Sequence, residues 1–185
     1  MIWLILGLAL WWGAHLFKRV APDARSAMAE RMGDRAKGIF AVLLVLSVVL
    51  MVIGYRSAEG AFFWGRSQAL VGINNLLVLI GFYLFAAAGM KTRVTRLTRH
   101  PQLIGFSLWA VGHLLVNGDV PSLILFGGLL VWALVEMVLI NRAEPAWTPP
   151  PPAPISKEIR AVVGGIVLYV VVALIHGWLG YWPFG

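Results

Sequence analysis

The sequence contains no cysteine and few charged residues. Without cysteine among its 185 residues, the chain has no disulfide framework and no thiolate ligand for a metal or an iron–sulfur cluster. Charged residues make up 12% of the sequence and hydrophobic residues 60%, and the mean hydropathy is +0.84. A soluble domain of this length needs a far more charged surface. The sequence therefore predicts an integral membrane protein embedded in a lipid bilayer.

Acidic residues are scarcer than basic ones, 8 against 15, which gives a formal net charge of +7. An excess of this sign is typical of nucleic-acid-binding proteins. Here, however, the basic residues lie in short segments between apolar runs, where they set the orientation of membrane helices. We therefore predict no nucleic-acid partner.

Six apolar runs cover most of the chain, and each is close to the length that spans a bilayer. The runs lie at about residues 1–17, 38–55, 67–90, 101–117, 120–140 and 161–180. We expect an all-α membrane protein, a bundle of about six transmembrane helices forming a single domain over residues 1–185. The first run is interpreted as an uncleaved helix, because Lys18 and Arg19 follow it and no basic residue precedes it.

The basic residues predict the orientation of the bundle. Thirteen of the 15 fall after the first, third and fifth runs, and only Arg56 and Arg66 fall on the other side. Because Lys and Arg are retained on the cytoplasmic side, both termini should face outward, to the periplasm in a bacterium. The thirteen residues are Lys18, Arg19, Arg25, Arg31, Arg35, Lys37, Lys91, Arg93, Arg96, Arg99, Arg142, Lys157 and Arg160.

The stretch from Thr98 to Asp119 carries two of the four histidines. Pro101 suits the first turn of a helix, and His100 before it is pushed toward an extended conformation. His113 lies thirteen residues later, roughly 19 Å along the helix axis at the usual rise per residue. His100 and His113 therefore cannot share one small site.

Polar side chains inside the apolar runs are the informative residues, because an unpaired polar group in hydrocarbon is costly. His15 and Glu136 belong to the inner half of the membrane. His113 is equally compatible with a ligand and with a hydrogen bond between helices, and Glu136 with an ion pair to an arginine and with a functional carboxylate. His15 and His176 can be interfacial. The residues predicted in the outer half are Asn74, Asn75, His113 and Asn117.

Two histidines on different helices of a cysteine-free bundle match the needs of a b-type haem, whose iron takes an imidazole nitrogen on each side. Estimated depths place His15 about 5 Å inside the midplane and His113 about 4 Å outside it. Pairing them therefore requires tilted helices. The ligand pair stays open between His15 with His113 and His15 with His100.

Several of these residues form a pattern that resembles the NnrU family of membrane proteins. The pattern is Arg99-His-Pro-Gln-x-x-Gly105 followed by Trp109, His113 and Asn117-Gly118, with His15 and Pro22 on and after the first helix. The resemblance extends from the first helix to at least Arg142. It implies a multi-pass protein of the bacterial cytoplasmic membrane, associated with denitrification through nitric oxide and nitrite reduction, whose partners would include components of those reductase systems.

The resemblance also implies haem b. A plant relative, zeta-carotene isomerase, is a haem membrane enzyme whose iron-binding histidines match His15 and His113. Arg93, Arg96 or Arg99 would pair with the haem propionates from the inner side. The candidate cofactor-binding residues are His15, Arg99, His100, His113 and Asn117, and His15 and His113 are the candidate metal ligands.

Three other functions remain as hypotheses. The chain can be a haem-dependent isomerase of a polyene rather than a redox protein. Because Arg99-His-Pro-x-x-x-Gly105 also resembles the cofactor-binding opening of isoprenylcysteine and phospholipid methyltransferases, a membrane methyltransferase is the second. Those enzymes use a paired-glutamate motif near the last helix, whereas Glu136, Glu144 and Glu158 stand singly here. The third is a non-catalytic partner of a reductase system.

Overall fold

A computed structural model describes residues 1–184, so the predicted outward position of Gly185 lies outside the described residues. The chain is mostly helical, with two short strands, β1 (Phe62–Trp64) and β2 (Gly118–Asp119), and a 3₁₀ turn at Arg93–Arg96. A π turn, Leu123–Gly127, joins α6 to α7. The helices are α1 (Ile2–Val20), α2 (Pro22–Met32), α3 (Asp34–Arg56), α4 (Gln68–Met90), α5 (Pro101–Val116), α6 (Val120–Ser122), α7 (Gly128–Ala143) and α8 (Ile155–Trp178).

Local sequence signals set the helix boundaries much as predicted. Pro22 and Pro101 occupy the first turns of α2 and α5, where a missing N–H has no intrahelical partner. Gly33 ends α2 with a φ of +55°, a conformation that other L-residues rarely adopt. Residues 144–154, which include the proline-rich segment, form neither helix nor strand, as that composition predicts.

The helices confirm an all-α membrane protein. Four segments are long and apolar enough to cross a bilayer: Asp34–Arg56, Gln68–Met90, Val120–Ala143 and Ile155–Trp178. A fifth span requires counting α1 with α2, which meet at a bend of 95°. Helix α5 has 16 residues, about 24 Å, which is shorter than the roughly 30 Å hydrocarbon core. The structure therefore supports four or five spans, and six stays a prediction.

The chain divides into two compact units. The first contains Met1–Phe62 and Asp119–Ala143, and the second contains Phe63–Gly118 and the chain from Glu144 onward. In the first unit, α1 packs backbone to backbone against α3. A Cβ built on Gly54 would lie 2.1 Å from the Leu4 nitrogen, and one on Gly7 would lie 2.7 Å from the Met51 nitrogen. Glycine is therefore required at both positions for this packing.

The second unit is built by α4, α5 and α8. Gly81 on α4 and Gly105 on α5 face each other, because a Cβ added to either would lie 2.8 Å from the other's carbonyl oxygen. Helix α8 approaches α4 at Gly165, where a Cβ would lie 2.9 Å from the Tyr83 Cα. Small residues thus let the three helices pack without a large apolar core, as is common in membrane bundles.

Candidate functional site

His15 lies on α1 in the first unit, and its orientation is fixed by the backbone. Its Nδ1 lies 3.0 Å from the carbonyl oxygen of Trp11, one turn earlier on the helix. Because a carbonyl oxygen can only accept, Nδ1 must carry the proton of this hydrogen bond. In the neutral ring the lone pair is then on Nε2, and that nitrogen is the one able to bind a metal.

Two indoles surround the His15 ring. Trp11 lies with its centroid 4.2 Å from the imidazole at a tilt of 40°, and Trp132 of α7 contacts it edge-on at 4.6 Å. The two indoles also touch each other, with centroids 5.2 Å apart. Trp132 is 4% exposed, so the contact is part of the packing between α1 and α7. The ring of His15 is consequently confined between two indoles.

Glu136 lies one turn after Trp132 on α7 and pairs with Arg19, one turn after His15 on α1. The Arg19 Nε lies 3.9 Å from the Glu136 Oε1, and the two side chains are 17% and 12% exposed. This geometry supports the ion-pair interpretation of Glu136, with an arginine at the end of the first helix as the partner. The Arg19–Glu136 pair lies one turn further along α1 and α7 than the contact between His15 and Trp132.

We expect Glu136→Gln to destabilise the protein by roughly 1–3 kcal/mol. The cost arises because Arg19 keeps its charge and loses the Glu136 carboxylate, and it stays below the roughly 3–5 kcal/mol of a fully buried pair because both side chains are partly exposed. Thermal unfolding in detergent measures the change. Arg19→Gln combined with Glu136→Gln should recover most of the loss. An unchanged melting temperature for Glu136→Gln would favour a functional carboxylate instead.

His113 lies on α5 in the second unit and repeats the arrangement seen at His15. Its Nδ1 donates to the carbonyl oxygen of Trp109, again four residues earlier, at 2.9 Å. The Trp109 indole lies against the imidazole with centroids 4.8 Å apart and a tilt of 47°. As at His15, the backbone bond leaves Nε2 of the neutral ring as the nitrogen with a lone pair.

The turn that carries His113 is held by donors at the end of α5. The last carbonyls of a helix have no intrahelical partner and need one from elsewhere. Asn117 donates its side-chain amide to the His113 carbonyl at 2.8 Å, and the Trp64 indole N–H donates to the Leu114 carbonyl at 3.0 Å. The predicted site residue Asn117 therefore lies beside His113 and binds its backbone.

Helix α4 supplies the other polar groups of this region. Asn74 Oδ1 lies against Gly112, where an added Cβ would be only 2.8 Å away. The Asn74 amide donates to Asn75 Oδ1 at 3.1 Å, and the Asn75 amide donates to the Pro183 carbonyl at 3.0 Å. Asn75 thus links α4 to the chain after α8, and Asn74 bonds Asn75.

An apolar cavity of about 190 Å³ lies beside Trp109, between α4 and α5. Gly81 and Gly105 border it, and its other walls are apolar. It is smaller than the roughly 300 Å³ at which small-molecule pockets begin. We therefore do not assign it as a cofactor site. The remaining walls are Val78, Phe82, Phe85, Phe106 and Trp109.

Arg99 and His100 lie at the opposite end of α5 from His113. The Arg99 guanidinium donates to both the carboxylate and the backbone carbonyl of Glu144. His100 precedes the first turn, and its backbone N–H donates to the Thr98 hydroxyl at 3.1 Å. The structure thus keeps Arg99 and His100 at the start of α5, with His113 and Asn117 at its end, as the sequence spacing predicts.

The donor chemistry of His15 and His113 fits a haem. Each imidazole has a lone pair directed by its backbone bond to Nε2, the usual arrangement for a histidine that ligates iron and donates its other N–H. Within residues 1–184, no three or more His, Asp and Glu side chains are grouped so as to hold a metal ion. A haem iron needs only two protein ligands, so a two-histidine site would not form such a group.

The indole contacts of the two histidines were not predicted, although Trp109 is part of the family pattern. Trp11-x-x-x-His15 and Trp109-x-x-x-His113 have the same spacing, which places each indole one helical turn before its histidine. This repeat was visible in the sequence. Trp132 and Trp64 could not have been found in the same way, because they reach the histidine turns from other segments of the fold.

Comparison with known proteins identifies one family. Neither a curated protein nor a solved structure matches the chain. The family described as NnrU protein matches residues 3–183, which is nearly the whole sequence. This range includes both histidine turns and all of the helices α1 to α8 except Ile2. The chain therefore belongs to the NnrU family.

Proposed function

We propose that this NnrU protein binds haem b in the bacterial cytoplasmic membrane, where His15 and His113 would hold the iron, and acts in the nitric oxide and nitrite metabolism linked to denitrification. The observation that best supports the proposal is that the two imidazoles make the same hydrogen bond and the same aromatic contact. Both donate Nδ1–H to a backbone carbonyl one turn earlier, at 3.0 and 2.9 Å, and both lie against an indole.

The side chains around each histidine have separable roles in this proposal. On α1, Trp11 and Trp132 confine the His15 ring, and the Arg19–Glu136 pair stabilises the α1–α7 contact below it. On α5, Asn117 holds the backbone of the His113 turn. The absence of cysteine agrees with a haem held without thioether bonds.

The haem propionates would be bound by the basic residues after α4. Arg99 lies at the opposite end of α5 from His113 and already bonds Glu144, so a propionate would have to extend toward that end and replace or share that carboxylate. Arg93 and Arg96 lie in the 3₁₀ turn that precedes Arg99 in the sequence, and they add further positive charge to this segment. When bound, haem b would supply one-electron redox chemistry or, after the loss of one ligand, an open iron coordination position.

The absorption spectrum of the purified protein tests the haem proposal. Protein produced with ample haem should show a Soret band, and a pyridine haemochrome assay should identify the haem as b-type. A protein without a Soret band would end the haem proposal and favour the membrane methyltransferase. A Soret band together with turnover of a polyene would favour the haem isomerase over a role in nitrogen-oxide metabolism.

We further propose a six-span topology, with the start of α1 and the end of α8 on the periplasmic side. The distribution of basic residues supports it, since thirteen of 15 lie on one side of that arrangement. Helix α2 bends by 95° away from α1 and carries basic residues, as expected of a helix lying along the inner surface. In this topology the span formed by α5 includes residues on either side of the helix, because 16 helical residues alone are too short to cross the membrane.

Reporter fusions are expected to show this topology directly. A reporter active only in the cytoplasm should give signal near Pro150, and one active only in the periplasm should give signal at Gly60 and after Gly185. The expectation follows from the retention of Lys and Arg in the cytoplasm. Each position should be silent with the opposite reporter. Exchange of the two patterns would reverse the orientation.

A further inference from the structure

We propose that Trp11 and Trp109 are positioning residues, each of which sets the plane of the imidazole that follows it by one helical turn. This inference rests on the proposed haem function and deepens it. Neither tryptophan is expected to touch the iron. Each would act through its histidine, by fixing the plane of the imidazole ring.

The two tryptophan–histidine pairs, Trp11 with His15 and Trp109 with His113, share their geometry. The centroid distances are 4.2 and 4.8 Å, and the tilts are 40° and 47°. In both pairs the same tryptophan supplies two contacts, a backbone carbonyl to Nδ1 and an indole against the ring. The pairs lie in different units and on different helices, so the likeness is not a by-product of one packing contact.

His176 on α8 shows which of the two contacts is particular to the proposed ligands. Its Nδ1 bonds the carbonyl of Val172, four residues earlier, at 2.8 Å. The backbone bond therefore forms at a helical histidine whatever the preceding side chain is. Val172 cannot provide an aromatic face, and the indole contact is thus the added feature of His15 and His113.

The indole contact restricts a rotation of the histidine ring that the backbone hydrogen bond still allows. The torsion that rotates a histidine ring has broad minima, so a single hydrogen bond at Nδ1 still allows the ring to rock. An indole against the ring restricts this rocking. Groups that orient a metal-binding histidine tune the metal although they do not bind it. For an iron with two imidazoles, the ring planes influence the anisotropy of the low-spin signal and the reduction potential.

The test compares Trp11→Leu and Trp109→Leu with Trp12→Leu. Trp12 is the adjacent residue on α1, and its indole N–H donates to the Gly128 carbonyl at 3.2 Å. We expect the first two variants to keep a Soret band but to show shifted or broadened low-spin resonances and a changed reduction potential. Trp12→Leu should lower thermal stability and leave both readouts unchanged. Trp11→Phe and Trp109→Phe should partly restore the wild-type signal.

A second readout keeps the inference testable apart from the haem. Histidine ¹⁵N spectra of the haem-free protein should show His15 and His113 in a single tautomer protonated at Nδ1, and the Leu variants should broaden or shift those signals. If wild-type protein binds no haem, the proposed function fails while these spectra still test the ring positioning. If both Leu variants leave the haem and ¹⁵N signals unchanged, the positioning role is refuted even though the haem is present.

Discussion

Replacement of His113 by alanine is expected to abolish or shift the Soret absorbance of the purified protein while the protein remains inserted in the membrane. The change removes an iron ligand. It does not reduce insertion, because insertion depends on summed apolarity and the loss of an imidazole raises it. His15→Ala should have the same effect. Absorbance measured on equal amounts of folded protein gives the result.

His176→Ala separates the loss of a ligand from the loss of a neighbouring imidazole, because His176 is close enough to His113 to interact with it electrostatically. His176 is also partly buried in the second unit and makes the same backbone bond to the residue four positions earlier. The His176→Ala substitution should leave the Soret band unchanged. His100→Ala should weaken the band far less than His113→Ala does. If His100→Ala removes the band and His113→Ala does not, the pair is His15 with His100 at the inner depth.

Replacement of Gly54 by alanine is expected to cause the largest loss of stability among single-residue changes in the first unit. The added Cβ would lie 2.1 Å from the Leu4 nitrogen and 2.6 Å from the Leu4 Cα. These are backbone atoms, so no side chain can rotate to make room. Helix α1 has to move away from α3, and the cost should reach about 3 kcal/mol or more. A lower melting temperature in detergent and a lower folded yield would measure it.

Gly38→Ala tests the same substitution on the same helix without the clash. A Cβ at Gly38 would meet nothing within 4 Å, and the residue is exposed. Helix propensity alone should then stabilise the protein by up to about 1 kcal/mol. A Gly54→Ala protein as stable as Gly38→Ala would show that α1 and α3 do not approach at Gly54 as described.

The sequence was most informative about the helices. Apolar runs, the prolines that begin α2 and α5, and the glycine after α2 each act within a few residues, so their structural effects could be predicted from the local sequence pattern. The run predicted at 161–180 was too short at its start, since α8 begins at Ile155. Hydropathy misses this first turn because Ser156, Lys157 and Glu158 are polar, although they continue the helix.

The surroundings of the candidate site depend on tertiary packing and were less predictable. Spacing alone placed Asn117 four residues after His113, and the structure shows its amide on the His113 carbonyl. The partner of Glu136 was foreseen only as an arginine, because nothing local distinguishes Arg19 from the other basic residues. The Trp132 contact with His15 joins residues 117 positions apart, and no periodic pattern encodes such a contact.

Near-infrared magnetic circular dichroism of the oxidised, haem-loaded protein tests the central claim most directly, because the position of its charge-transfer band identifies the two axial ligands of a low-spin haem. We predict the band of a bis-imidazole haem in the wild-type protein and its loss in both His15→Ala and His113→Ala. A wild-type spectrum of a high-spin haem, or of a haem with any ligand pair other than two imidazoles, would contradict the assignment of His15 and His113.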